Sequence, residues 1–159
     1  MAPRNPLFLR DEELERSLEL LLLAERDLLA RAGEALAREQ LSEQDFRLLY
    51  LVQRHPGSTI AELCTVLGMT KQSLSRHIQA LVAAGLLRQQ AASRGDRRRR
   101  PLVVTEAAVE VIARVGETHK ASLRRAFKNA GPEAVEGFQR VLAVLIDGPG
   151  RRLLGKHAA

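Results

Sequence analysis

Gly68-Met69-Thr70-Lys71-Gln72-Ser73-Leu74-Ser75-Arg76-His77-Ile78 opens a stretch that closes with Ser93-Arg94-Gly95-Asp96-Arg97-Arg98-Arg99-Arg100-Pro101. Gly68 suits the left-handed end of one helix, and Thr70 suits the cap of the next. Met69 between them reads as a buried turn residue. Leu74, Ile78, Leu81 and Val82 form an inner apolar stripe, and Gly85 stops the helix. Residues 86–90 then read as a short strand, residues 93–100 as a hairpin tip, and Leu102-Val103-Val104 as the return strand. A turn, a helix with a polar outer face and a basic hairpin tip, in that order, are the pattern of a winged helix-turn-helix.

The outer face of the helix carries Gln72, Ser73, Ser75, Arg76 and Gln79. Gln pairs with adenine and Arg with guanine through two hydrogen bonds each, for about 1–3 kcal/mol of discrimination per base. Ser allows close approach. Thr70 and Lys71 stand at the helix N-terminus, where free amides and the dipole favour a phosphate. An ordinary surface helix would carry several carboxylates, yet there is no Asp or Glu from Thr70 to Arg94. In the hairpin tip, Arg94, Arg97 and Arg99 are the candidates for minor-groove and phosphate contacts, since a narrow groove attracts arginine. Asp96 is expected to pair with Arg98 and shape the tip. The plainer alternative for these arginines is a basic loop that raises affinity for any sequence.

The charge distribution agrees. Lys71, Arg76, Arg88, Arg94, Arg97, Arg98, Arg99 and Arg100 face only Glu62 and Asp96 between His55 and Arg100, which leaves +6, the net charge of the whole 159-residue chain. A basic middle between neutral flanks marks phosphate binding. One cysteine, Cys64, excludes an internal disulfide and a multi-cysteine zinc site. Cys64 reads as a small packing residue rather than a redox sensor. His55, His77, His119 and His157 show no metal-ligand spacing, and His77 reads as a phosphate contact or a partly exposed helix residue. No metal and no cofactor are expected. No glycine-rich phosphate loop or nucleophile elbow occurs, so the chain is not expected to be an enzyme. No segment is long and apolar enough to span a bilayer, no export signal opens the chain, and a cytoplasmic protein without membrane contact is expected.

Outward from this stretch the chain reads as helical. Thr59 caps the preceding helix with Glu62 at the capping-box position. Ser42 caps the one before, which carries Phe46, Leu49, Tyr50 and Val52. Asp11 starts an N-terminal helix whose leucines cover more than one stripe, a first sign of a dimer interface. Thr105 caps a helix running to about Phe127, Gly131-Pro132 breaks the chain, and a last helix carries Val135, Phe138, Val141, Leu142 and Leu145. Gly148-Pro149-Gly150 is expected to end that helix, with Leu153-Leu154 packing back. The fold class is mainly α with a small β-wing: an arm and dimerisation helix at 1–41, a winged helix-turn-helix at 42–105, and C-terminal dimerisation helices at 106–159.

Ala61-Glu62-Leu63, then Leu67 through Arg76, then Leu81, Gly85-Leu86-Leu87, Asp96-Arg97-Arg98 and Thr105-Glu106, together resemble the MarR family of bacterial transcription regulators. The resemblance covers about residues 11–147. It implies a homodimer with interlocking N- and C-terminal helices that binds double-stranded DNA at a palindromic operator, usually as a repressor. It implies a small-molecule effector, often an aromatic acid or phenol, held between the dimer helices and the DNA-binding lobe. Arg47, Tyr50, Arg54 and His55 are the candidates for polar contacts there. The chain departs from the family at Ser93 and Gly95 in the wing, at Ala108 where Gly is usual, and in lacking the first-helix cysteine of redox-sensing members. Two alternatives stay open at this point: a nonspecific architectural DNA-binding protein, and a protein-interaction module that uses the dimer helices.

Overall fold

The computed structural model describes residues 7–90 and 101–155. A short 3-10 turn, Leu7–Leu9, leads into α1 (Asp11–Ala30). Asp11, Glu12 and Glu13 occupy the first turn of α1, where the dipole favours carboxylates. After Arg31 and Ala32 comes α2 (Gly33–Arg38), and then α3 (Glu43–Arg54), α4 (Ile60–Leu67) and α5 (Lys71–Ala83). Two short strands, β1 (Leu87–Gln89) and β2 (Leu102–Val104), precede α6 (Glu106–Ala130), α7 (Pro132–Leu145) and α8 (Gly148–Gly155).

Caps set most of these boundaries. Ser42 and Asp45 form a reciprocal capping box on α3, and Thr59 and Glu62 form another on α4. Thr105 accepts from Ala108 N–H to start α6 and donates its own hydroxyl to the Gly85 carbonyl at 2.7 Å. That second bond ties the end of the hairpin to the turn after α5. The strands pair antiparallel with Leu87 opposite Val104, Arg88 opposite Val103 and Gln89 opposite Leu102.

One core serves the middle of the chain. Leu48, Leu49, Leu63, Leu74, Leu81 and Leu87 are fully buried with Val115, and Ala32, Leu36, Phe46, Val52, Ile78, Leu86, Leu102, Ala108, Val111 and Ile112 complete the cluster. The core therefore draws on α2 and on the first half of α6 as well as on the helix-turn-helix. By contrast, α1 and α7 have no buried residue at all. Leu14, Leu18, Leu20, Leu21, Leu22 and Leu23 on α1 are exposed, and so are Phe138, Val141, Val144 and Leu145 on α7.

Four expectations need correction. The N-terminal region holds a second helix, α2, whose two-residue apolar signal (Ala32 before it and Leu36 within it) is too short to show periodicity. Val82 lies on the exposed side of α5, at 42% exposure, because the buried stripe passes through Leu81 instead. The Gly148-Pro149-Gly150 sequence does not end the last long helix, which stops at Leu145; it opens α8. Proline is tolerated in a first helical turn because its missing N–H would have no intrahelical partner there. Leu153, carried by α8, is buried and α8 packs on α4, so the packing back of this segment is observed. Met69 is half-buried against the core rather than fully enclosed.

Asp45 works twice. One carboxylate oxygen accepts from Ser42 N–H at 2.9 Å, and the other accepts from His77 Nδ1–H at 2.7 Å. Burial opposes ionisation of this group, yet hydrogen bonds from Ser42 and His77 together outweigh it and hold its pKa below the ordinary aspartate value.

Two outcomes are expected. Leu74→Ala should destabilise the fold by about 2–5 kcal/mol, measured by denaturant unfolding, because it opens a cavity under α5. A carboxyl with a depressed folded pKa stabilises above its unfolded pKa, and that contribution is lost as pH falls through the folded value. Asp45→Asn should therefore lower the melting temperature at pH 7, and the gap from wild type should close from about pH 4 downward. A gap that stays constant with pH would show that the carboxylate charge plays no part.

Candidate nucleic-acid interface

The interface is built on the turn between α4 and α5. Gly68 takes the left-handed conformation at φ 63°, Met69 N–H reaches back to the Cys64 carbonyl at 2.9 Å, and Gly68 N–H reaches Thr65 at 3.3 Å. These bonds satisfy the last carbonyls of α4 and aim the chain into the next helix. Thr70 Oγ1 then accepts from Ser73 N–H at 3.1 Å. This leaves the remaining first-turn amides of α5 without a side-chain cap of their own, the arrangement that favours an anion.

Leu74, Ile78 and Leu81 bury the inner face of α5. Thr70, Lys71, Gln72, Ser75, Arg76 and Gln79 are exposed, and Ser73 is half-buried. Gln72 and Arg76 are one turn apart on the outer face, and Lys71, Ser75 and Gln79 form the neighbouring row. All the recognition-helix residues singled out from the sequence thus belong to one helix start and one face, with Ser73 at its margin. Among the described residues no ion pair engages Lys71, Arg76 or Arg88, whereas Arg47, Arg114, Arg124 and Arg140 are each held by a glutamate.

The hairpin stands beside this helix. Beyond the paired strands, Gln90 N–H bonds to the Pro101 carbonyl at 2.9 Å, so the ladder continues to the base of the tip. Leu87 and Leu102 point into the core while Arg88 is exposed. Arg94, Arg97 and Arg99, with Asp96 and Arg98, lie outside the described residues.

The effector candidates share one stretch of α3 and its end. Arg47 bridges Glu43 at 2.6 Å and Glu25 of α1 at 3.4 Å. Tyr50 is exposed, with its ring 5.8 Å from that of Phe46. Arg54 is exposed in the last turn, and His55 is the half-buried C-cap residue. Two histidines that looked scattered in the sequence prove to be joints. His119 of α6 lies 5.4 Å from the Phe46 ring, and its Nδ1 is 3.2 Å from the Leu28 carbonyl, so α1, α3 and α6 meet there. His77 is bound to Asp45, so its Nδ1 is occupied within the fold rather than open to a phosphate. Neither contact had a local signal, because the partners are 91 and 32 residues apart.

Among the described residues no group of histidine, cysteine and carboxylate side chains could hold a metal, and no helix is long and apolar enough to cross a membrane.

Comparison with known proteins agrees with this geometry. The model of the MarR family matches residues 39–99, which take in α3, the helix-turn-helix of α4 and α5, and β1. The HTH-type transcriptional regulator PetP of Rhodobacter capsulatus is 35% identical over 146 residues, 92% of this chain and 87% of the relative. Among solved structures, NadR in complex with 4-hydroxyphenylacetate has a TM-score of 0.69 at 21% identity, covering 79% of this chain and 88% of that one. A MarR family protein of Mycobacterium tuberculosis in complex with salicylic acid has a TM-score of 0.60 at 23% identity, covering 92% of this chain and all (100%) of the other. These two likenesses establish the fold, and the likeness to PetP extends it to kind: the chain belongs to the MarR family of transcriptional regulators.

Proposed function

We propose that the protein is a homodimeric repressor that reads a palindromic operator and is released from it by a small aromatic acid. The observation that carries this reading is the carboxylate-free outer face of α5, where Gln72, Arg76 and Gln79 stand exposed beside the Thr70 cap and a basic hairpin. In this reading Gln72, Ser73, Ser75, Arg76 and Gln79 contact bases, and Thr70 and Lys71 contact phosphate. Arg94, Arg97 and Arg99 serve the minor groove and its flanks, with Asp96 and Arg98 shaping the wing.

Dimerisation is supported by the leucines of α1 and the apolar side chains of α7, which one chain leaves in water. Two helices that each expose several large apolar side chains mark a surface that another chain covers. Residues 1–41 and 106–159 would then form the dimer lobe, and 42–105 the DNA-binding lobe. Two recognition helices would enter major grooves about one helical turn apart. The protein would act in the cytoplasm, on DNA and without turnover.

For the effector, the support is chemical. Arg47, Arg54 and His55 share α3 and its C-cap with the Phe46 and Tyr50 rings, and cationic and aromatic groups together suit an aromatic carboxylate, for which Arg47 would exchange its Glu43 and Glu25 partners. Two proteins of this fold are known in complex with salicylic acid and 4-hydroxyphenylacetate, which have that chemistry.

Fluorescence anisotropy with DNA from the intergenic region upstream of the protein's own gene tests the reading. Wild type should prefer this duplex to a scrambled one by about a thousandfold or more, within the usual range for specific binding, and binding should weaken steeply with salt. Arg76→Ala should cost about 1–3 kcal/mol on the native duplex and little on the scrambled one. Lys71→Ala should weaken both alike. Equal affinity for the two duplexes would favour an architectural protein, and no binding at low salt would favour an interaction module. Leu18→Asp in α1 should shift the protein toward monomer in sedimentation, and operator affinity should fall with it. A dimer unchanged by that substitution would place the interface elsewhere.

A further inference from the structure

His77 of α5 is half-buried, between the buried stripe of the helix and its exposed face. It lies between Arg76, which is exposed, and Ile78, which is buried. Its side chain is 26% exposed, that of Asp45 is 15% exposed, and Nδ1 sits 2.7 Å from Asp45 Oδ1. The other oxygen of Asp45 closes the Ser42 capping box of α3 at 2.9 Å. A single carboxylate thus joins the first turn of α3 to the middle of α5. The apolar stripe alone resists separation of the two helices but resists rotation only weakly, since dispersion contacts are not directional. A charge-assisted hydrogen bond is directional and stronger than a neutral one.

We infer that His77 is a positioning residue for operator reading: held by Asp45, it sets the rotation of α5 about its own axis and so the direction in which Gln72, Arg76 and Gln79 face the groove. This inference rests on α5 being the reading helix. It also gives α3, which carries Arg47 and Tyr50, a direct connection to α5. A shift at the N-terminus of α3 reaches the reading face through one bond rather than through the whole core. The carboxylate accepts, so the proton on this side belongs to His77 Nδ1. An asparagine at this position can place an amide N–H close to that nitrogen, and a leucine cannot.

The test compares wild type, His77→Leu, His77→Asn, Asp45→Asn and the His77→Leu/Asp45→Asn double variant, each as the full chain. The probes are a duplex selected by the wild-type protein from a random pool and a scrambled duplex of the same length. Thermal melting of each variant confirms that it is folded at the binding temperature. The selected-to-scrambled affinity ratio should fall about tenfold in His77→Leu and in Asp45→Asn, the factor that a hydrogen bond to a charged group commonly carries. The double variant should fall no further than either single one, because both remove the same contact. His77→Asn should keep most of the ratio, and affinity for the scrambled duplex should stay within about twofold throughout. An unchanged ratio in a folded His77→Leu would overturn the inference and leave the contact a purely structural one. Equal losses on both duplexes would overturn it too, by making His77 a phosphate contact. Failure of the wild type to distinguish any selected duplex would remove the reading on which the inference stands, and is told apart from the other two by the wild-type ratio alone.

Discussion

Leu74, Ile78 and Leu81 bury one side of α5 while its other side, one turn away at each step, is left bare. Burial of each such side chain contributes about 1.5–3 kcal/mol, so three of them hold the helix firmly without any help from its outer face. The outer residues are thereby freed from structural duty. Gln72, Ser75, Arg76 and Gln79 have no part in the core and no anionic neighbour on their own helix, which suits the proposed contact with bases and phosphates. The Gly68 turn, the Thr70 cap and the Thr105 bond to the Gly85 carbonyl then fix where this helix starts, where it ends and how the hairpin stands beside it.

The rest of the molecule divides by what it buries. α2, α3, α4, α5, both strands and the first half of α6 close a core within one chain. α1 and α7 do not, and the apolar side chains they carry have the spacing of helices that pack on something. A regulator that reads a two-fold site needs its two reading heads held at a fixed separation. In the proposed dimer, α1 and α7 would supply that separation, since neither finishes its packing within one chain. α8 adds a tether from the far end of this helical part back to α4 through the buried Leu153.

Local chemistry was readable from the residues alone. Ser42, Thr59 with Glu62, Thr70 and Thr105 each cap the helix assigned to them, and Gly68 and Gly85 have the positive φ that their positions demand. The buried and exposed sides of α5 followed because its apolar stripe has a clear helical period. What could not be read was set by distance or brevity. α2 offers only six residues, and α8 begins with three that ordinarily signal a break. Val82 was assigned inward because an apolar residue next to Leu81 fits either side of a broad stripe. The contacts of His77 with Asp45 and of His119 with Leu28 and Phe46 depend on how helices pack, and no spacing along the chain encodes them.

Selection of bound duplexes from a random pool, followed by sequencing, tests the central claim most directly, because it asks the protein which DNA its exposed helix face fits. Two copies of α5 related by a two-fold axis predict an inverted repeat whose half-sites are centred about 10 bp, one helical turn, apart. The half-sites should carry the information, and the spacing between them should be fixed. A pool that stays unenriched, or one that yields a single unsymmetric site, would contradict the assignment of α5 as one of a pair of reading helices.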